Sequence, residues 1–317
     1  MDLLSLFYFV ELSKDLHITR TANRLYISQQ SLSNHIQRLE KHYGVPLLRR
    51  KPTLQLTLAG EQVLQFAKRL EQENANLRDV LSDIKTKNRG LLRFGTSTTR
   101  MNVCLPVISD FLSRYPHVEL RLNNRFSQDL EKMLLNNELD LAFIFGFAGH
   151  PKLEELYRVD EKIYLCVSDP LLKQIYGETA EELKQKAVHG AHLEWFSELP
   201  FCVLENRMGE QLQHCFEEAR FQPRIFMTST YTQACNQVCY QHLAASFMPQ
   251  MSLFHEKDSI PPDINIFPLV YRGEHMTQNV SLICTHERYL PQYTKIFLQN
   301  LIEFLNSIEN TSLEHIV

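Results

Sequence analysis

The chain has 317 residues, 44% hydrophobic and 22% charged, a composition that fits a soluble globular protein and a length that calls for two or three domains. No run of about 20 apolar residues is available to span a bilayer, and the opening MDLLSLFYFVELSK lacks a basic leader, so cytoplasmic residence without membrane contact is expected. The net charge of −4 is uneven: residues 1–60 carry eight basic and four acidic side chains, leaving −8 for the rest, as if only the head met a polyanion.

In the first segment Leu3, Leu6, Phe7 and Val10 recur at helical spacing. Ile18, Ala22 and Leu25 repeat the pattern, with Thr19 and Thr21 polar between them. After a turn at Tyr26–Ile27, Ser28 is placed to cap a third helix whose apolar stripe is Leu32, Ile36, Leu39 and Tyr43, ended by Gly44. Three short helices with a tight turn between the last two make a helix-turn-helix. Gln30, Asn34, Gln37 and Lys41 fall opposite the apolar stripe, flanked by Ser33 and Arg38. Asn and Gln amides pair bidentately with adenine edges in the major groove, and serine serves several bases. Two short strands, residues 45–48 and 54–57, then frame the basic tip Arg49-Arg50-Lys51, suited to phosphates or a minor groove. A solvated polar face would explain the stripe alone; it explains less well the stripe, cap, turn and basic hairpin together.

Residues 61–89 contain no interior glycine or proline, and Val63, Leu70, Leu77 and Ile84 fall seven apart, the spacing of a short helix-pairing seam. Up to this point the sequence resembles a LysR-type transcriptional regulator. The likeness rests on LLSLFYFVELS, ITRTANRLYISQQSLSNHIQRLEKHYGVPLL and the wing running into Leu56-Thr57-Leu58-Ala59-Gly60. The resemblance places Gln29, Gln30, Ser31, Ser33, Asn34 and Arg38 at the DNA face, with Arg50 on the wing beside Lys51, and Gln37 joins them from its place on the stripe. Gln30, Asn34 and Leu48 stand where the family usually has proline, arginine and phenylalanine.

Beyond residue 90 apolar strands alternate with helices: LLRFG, a helix ending SDFLSRYP, VELRLNN, a helix near 128–136, LDLAFIFG, IYLCVS, PFCVLEN, PRIFM, a helix over 231–242, AASFMP, VSLIC and a closing helix over 292–308. This order predicts a parallel α/β sheet. The resemblance implies a fold of the periplasmic-binding-protein type, two α/β lobes with a cleft between them. The expected organisation is a winged helix-turn-helix head (1–60), a linker and dimerisation helix (61–89) and an effector-binding domain (91–305). Its lobe I holds about 91–165 and 268–305, and lobe II about 166–267.

The seven cysteines include no CxxC pair, so no disulfide framework or structural zinc is indicated; Cys235 and Cys239, four apart, read as small core residues before a redox pair. His189, His192 and Glu194 lack a zinc spacing. Only 10 glycines and no phosphate-loop or nucleophile-elbow motif disfavour an enzyme, although a metabolic enzyme with a basic helical appendage remains the alternative. No metal or cofactor is called for. The expected partners are a double-stranded DNA operator, a second copy or three more of the chain, and a small effector. For that effector, the step after LLRFG offers Thr98, Thr99 and Arg100 at a strand-to-helix junction, where N–H groups and hydroxyls suit an anion such as a carboxylate. By family position Thr99 and Ser127 fall on the wall of lobe I, with Phe145, Asn206 and Met208 near the opening or opposite.

Overall fold

A computed structural model describes residues 2–49, 53–85 and 89–309. Arg50 and Lys51 of the expected wing lie outside the described residues. The chain divides into two compact units, Met1–Lys85 and Thr86–Val317.

In the first unit α1 (Leu3–Ser13) starts at Asp2, whose carboxylate accepts from the Ser5 N–H at 2.6 Å. It buries Ser5, Leu6, Phe9, Val10 and Leu12, while Leu3 and Phe7 of the expected stripe are 61% and 41% exposed. The face shifts because the next two helices and the later long helix of the head pack on α1 together. In α2 (Ile18–Arg24) Thr21 is buried rather than surface-facing, since its hydroxyl donates to Asp15 at 2.9 Å and Asp15 also pairs with Arg24. The Ser28 hydroxyl caps α3 (Gln29–Tyr43) by accepting from the Ser31 N–H at 3.1 Å, and Gly44 ends it at φ +70°. Leu32, Ile36 and Leu39 are buried beneath α1 and α2.

The Glu40 carboxylate accepts from the N–H groups of Leu47 and Leu48, tying the end of α3 to β1 (Leu48–Arg49), which pairs antiparallel with β2 (Gln55–Leu56). Next comes α4 (Leu58–Lys85), entered at Gly60, where a Cβ would lie 2.1 Å from the Leu47 carbonyl oxygen. Only glycine admits that approach. Val63 and Ala67 of α4 complete the core of the head, whereas Leu77 and Leu81 are 55% and 49% exposed. The expected seam is therefore split: its first half packs on its own chain.

The second unit opens with β3 (Gly90–Thr96), α5 (Thr98–Arg114), β4 (Val118–Asn124), α6 (Ser127–Leu135) and β5 (Leu141–Phe145). A long β6 (Leu153–Ser168) leads into α7 (Asp169–Tyr176), α8 (Ala180–Ala187) and the short β7 (Ala191–His192). There follow β8 (Pro200–Leu204), α9 (Arg207–Glu218), β9 (Arg224–Ser229), α10 (Thr232–Tyr240), β10 (Ser246–Pro249) and α11 (Gln250–Glu256). The chain closes with β11 (Ile264–Tyr271), β12 (Glu274–His275), β13 (Thr277–Thr285) and α12 (Gln292–Glu309).

The sheet is mixed, not parallel throughout. β3 runs parallel to β4 and β5, but β13 comes back from the far end of the domain and pairs antiparallel with β5 and β6. Up to Lys162, β6 bonds β13; from Ile163 it bonds β10 and β11. The return crossing falls between Met276 and Thr277, because Leu269 and Met276 belong to the second apolar core. Each lobe thus has its own core, one around Phe94, Phe111 and Phe297, the other around Phe201, Phe216 and Phe247. In the first lobe the Arg93 side chain donates to Asp140, as does Arg288 in an ion pair at 2.9 Å, fixing the start of β5 against β3.

Candidate functional site

On α3, Gln29, Gln30, Asn34, Gln37 and Arg38 are exposed and Ser31 and Ser33 half-buried, all away from the Leu32/Ile36/Leu39 core. The amides share this face because the apolar residues at i, i+4 and i+7 hold the opposite one. His35 is a packing residue: its Nδ1 lies 2.8 Å from the Ser5 hydroxyl and its ring stands edge-on to Tyr8. Across the wing the Arg49 guanidinium donates to the Gln55 side chain.

The second unit contains a cleft of about 1010 Å³ between the ends of its strands and a ring of helices. Thr98, Thr99, Arg100, Ser127, Phe145, Asn206 and Met208 all line it. Five helices begin at this cleft: α5 after Ser97, α6 after Phe126, α9 after Asn206, α10 after Tyr231 and α11 after Pro249. Such ends present free N–H groups and partial positive charge. Two are satisfied from within: Asn206 Oδ1 accepts from the N–H groups of Met208 and Gly209, and Glu161 Oε1 accepts from the Met251 N–H at 2.8 Å. Those of α5, α6 and α10 have no side-chain cap. Ser127 accepts from the Phe145 N–H at 3.1 Å and Thr98 from the Asn124 amide at 2.6 Å, which leaves each hydroxyl a proton to donate.

The Arg100 charge is already used, in an ion pair with Glu161 at 3.1 Å. Phe145 and Met208 are only 6% and 3% exposed, so they belong mainly to the second core and offer the cleft little apolar surface. Sequence reading also missed four residues of the site. Glu161, 2% exposed, receives Arg100, Gln278 and the Met251 N–H; its one visible signal is a carboxylate at the head of an apolar strand. Gln278 and Ser252 lie beside it on the inner wall. Arg207, from α9, donates to the carbonyl oxygens of Phe145 and Gly146 and pairs with Glu131 at 2.9 Å, bridging the lobes across one side of the cleft.

All seven cysteines are buried and free, and burial pushes the Cys104, Cys239 and Cys284 thiols up to about 12, which keeps them protonated. His192 Nδ1 lies 3.6 Å from the Glu194 carboxylate and its ring packs at a tilt of 39° against Trp195, and among the described residues no cluster suited to a metal ion occurs. Nor is any helix among them long and apolar enough to cross a membrane.

Comparison with known proteins gives the same two-part division. Residues 3–61 match the model of the bacterial regulatory helix-turn-helix protein, lysR family, and residues 85–306 that of the LysR substrate binding domain. The chain is 22% identical over 318 residues to the uncharacterized HTH-type transcriptional regulator YkuM of Bacillus subtilis, covering 96% of this chain and 98% of the relative. It is 27% identical to the HTH-type transcriptional activator CmpR of Synechocystis, covering 82% and 84%. Among solved structures, full-length CbnR complexed with its target DNA superposes with a TM-score of 0.59 at 22% identity, covering 96% of this chain and 100% of that one. A full-length OxyR variant from Pseudomonas aeruginosa gives 0.65 at 20% identity, covering 99% and 96%. At these identities the likeness to solved structures speaks for the fold.

Proposed function

The chain belongs to the LysR family of bacterial DNA-binding transcriptional regulators, and from that premise we propose that it reads a specific operator as a homo-oligomer and adjusts its hold to a small anionic effector. The site of action is the cytoplasm, where DNA and metabolites meet. In this reading Gln30, Asn34 and Gln37 address base edges, while Arg38, Arg50 and Lys51 hold the backbone. A single helix-turn-helix contacts few bases, so paired heads on a two-fold operator supply the selectivity. The exposed Leu77 and Leu81 of α4 support such pairing.

The observation that carries the effector half is the set of helix ends at one cleft. The ends of α5 and α6, with the hydroxyls of Thr98, Thr99 and Ser127, supply donors without a protein acceptor to absorb them all. With Arg100 tied to Glu161, the attraction for an anion comes from these dipoles rather than from a free cation. A thermal-shift screen of carboxylates, followed by DNA-retention assays with each hit, tests the whole reading. The expected result is a ligand that raises the melting temperature, alters retention on a selected operator and is recovered unchanged. Turnover of the hit, or retention on operator and random DNA alike, overturns it.

A further inference from the structure

We propose that Tyr26, in the turn between α2 and α3, is a DNA-contacting residue whose hydroxyl donates to a backbone phosphate beside the bases that α3 reads. The inference rests on the reading of α3 as the helix that meets base edges, and adds a contact to the groove wall next to it. The Tyr26 side chain is 95% exposed, more than any other large apolar or aromatic side chain among the described residues. No hydrogen bond or ring contact with another described residue engages it.

The backbone beneath it is fixed by the end of α2. The Tyr26 N–H donates to the Asn23 carbonyl at 3.2 Å and the Ile27 N–H to the Ala22 carbonyl at 3.0 Å. This pair of bonds closes a helix through one residue in the left-handed region, usually glycine or asparagine. Here that residue is Tyr26, at φ +55°. A Cβ crowds the backbone in this conformation, so a tyrosine holds it under strain. Leu16, His242 and Arg272 share the region, and their side chains serve the fold. Leu16 packs on the head core, His242 faces Asp263 and Arg272 pairs with Glu218. Tyr26 bears the same strain with its ring in solvent. A strained residue that gives the fold nothing, next to a binding surface, points to a contact outside the chain.

Its distance from the reading face suits the DNA backbone. Gln29 opens α3 three residues after Tyr26. Their Cα atoms therefore lie within about 11 Å of each other. The major groove is about 12 Å wide, so a helix end centred in it has a phosphate-lined wall roughly 6 Å to either side. With Gln29 and Gln30 turned to the bases, the turn before α3 stands over one wall. A tyrosine hydroxyl there is a neutral phosphate donor, and the ring covers the adjoining sugar.

The test is anisotropy titration of the full chain on an operator selected from a random-sequence library and on a scrambled duplex, at several salt concentrations. Tyr26→Phe should weaken both complexes at least about fivefold and by the same factor, since a backbone contact carries no sequence. Its salt dependence should match wild type, because a neutral hydroxyl displaces no counterion, whereas Arg38→Ala should flatten it. Tyr26→Gly removes the ring and relieves the backbone. It should bind no better than Tyr26→Phe, while the head unfolds in urea no earlier than in wild type. Tyr26→Phe that binds both duplexes as tightly as wild type overturns the inference. So does a loss confined to the operator, which would move the hydroxyl to a base edge. A lighter assembly in ultracentrifugation would assign the ring to a second copy, and earlier unfolding of Tyr26→Gly would give it a role in the fold; either result also sinks the proposal. The operator-to-scrambled ratio of the wild-type protein, from the same titrations, tests the reading of α3 by itself.

Discussion

At the scale of single residues, the two halves of the protein rely on opposite treatments of polar side chains. On α3 the amides stand exposed and unburdened by packing, so their removal should touch recognition and not folding. Asn34→Ala is expected to cost roughly 1–3 kcal/mol on the selected operator and much less on random DNA. Anisotropy titrations at several salt concentrations would show this; equal losses on both DNAs would remove Asn34 from the reading face. In the cleft, Thr99 offers a hydroxyl at the open end of α5. Thr99→Ala should weaken effector binding by about 1–2 kcal/mol and leave ligand-free DNA binding intact, as calorimetry and a DNA titration on the same preparation would establish. The residues that sequence reading placed in the cleft came from the junction after LLRFG and from family position. Glu161, Gln278 and Arg207 escaped it for a physical reason: each acts through a partner more than forty residues away, and no local pattern encodes such a pairing.

Elements differ in how much of their fate is local. α3 was legible in full, because its cap at Ser28, its stripe and its stop at Gly44 all lie within one stretch of chain. α1 was legible as a helix but not in orientation, since its buried face is chosen by α2, α3 and α4 packing on it together. β6 shows the limit most clearly. Only residues 163–168 read as a strand; the preceding LEELYRVDEK is rich in charge without strict alternation and is held by β13, more than a hundred residues on. The helices α7, α8, α9 and α11 went unread because their short amphipathic patterns lie among loops of similar polarity. α4 carries a prediction of its own. Its first half is core, but Leu77 is exposed in the single chain at a seam position. Leu77→Glu should therefore leave the fold unchanged while placing a charge in the pairing face, converting assemblies to lighter species. Analytical ultracentrifugation with circular dichroism separates the two effects, and an unchanged mass would rule out pairing through this face.

For the whole molecule the governing fact is that each unit owns its core. The head closes around Phe9, Leu12, Leu32 and Val63, and the body around its own clusters, the two largest in separate lobes. Units with separate cores unfold as separate cooperative transitions unless a large apolar interface joins them. The body also exposes more surface on unfolding, having 232 residues against 85 in the head, so its transition should be the steeper in denaturant. The effector acts on only one of the two. A ligand that binds the folded body alone stabilises it by mass action, about 2.7 kcal/mol at a hundredfold excess over Kd, and gives nothing to the head. Urea titration of the full chain should accordingly show two steps, with the steeper one moving to higher urea as effector is added and the other staying in place. A chain shortened to residues 86–317 should reproduce the steeper step, with the same displacement by effector. Movement of both steps together in the full chain would mean that the head and body fold as one unit, and the separation of reading from sensing would then have to be abandoned.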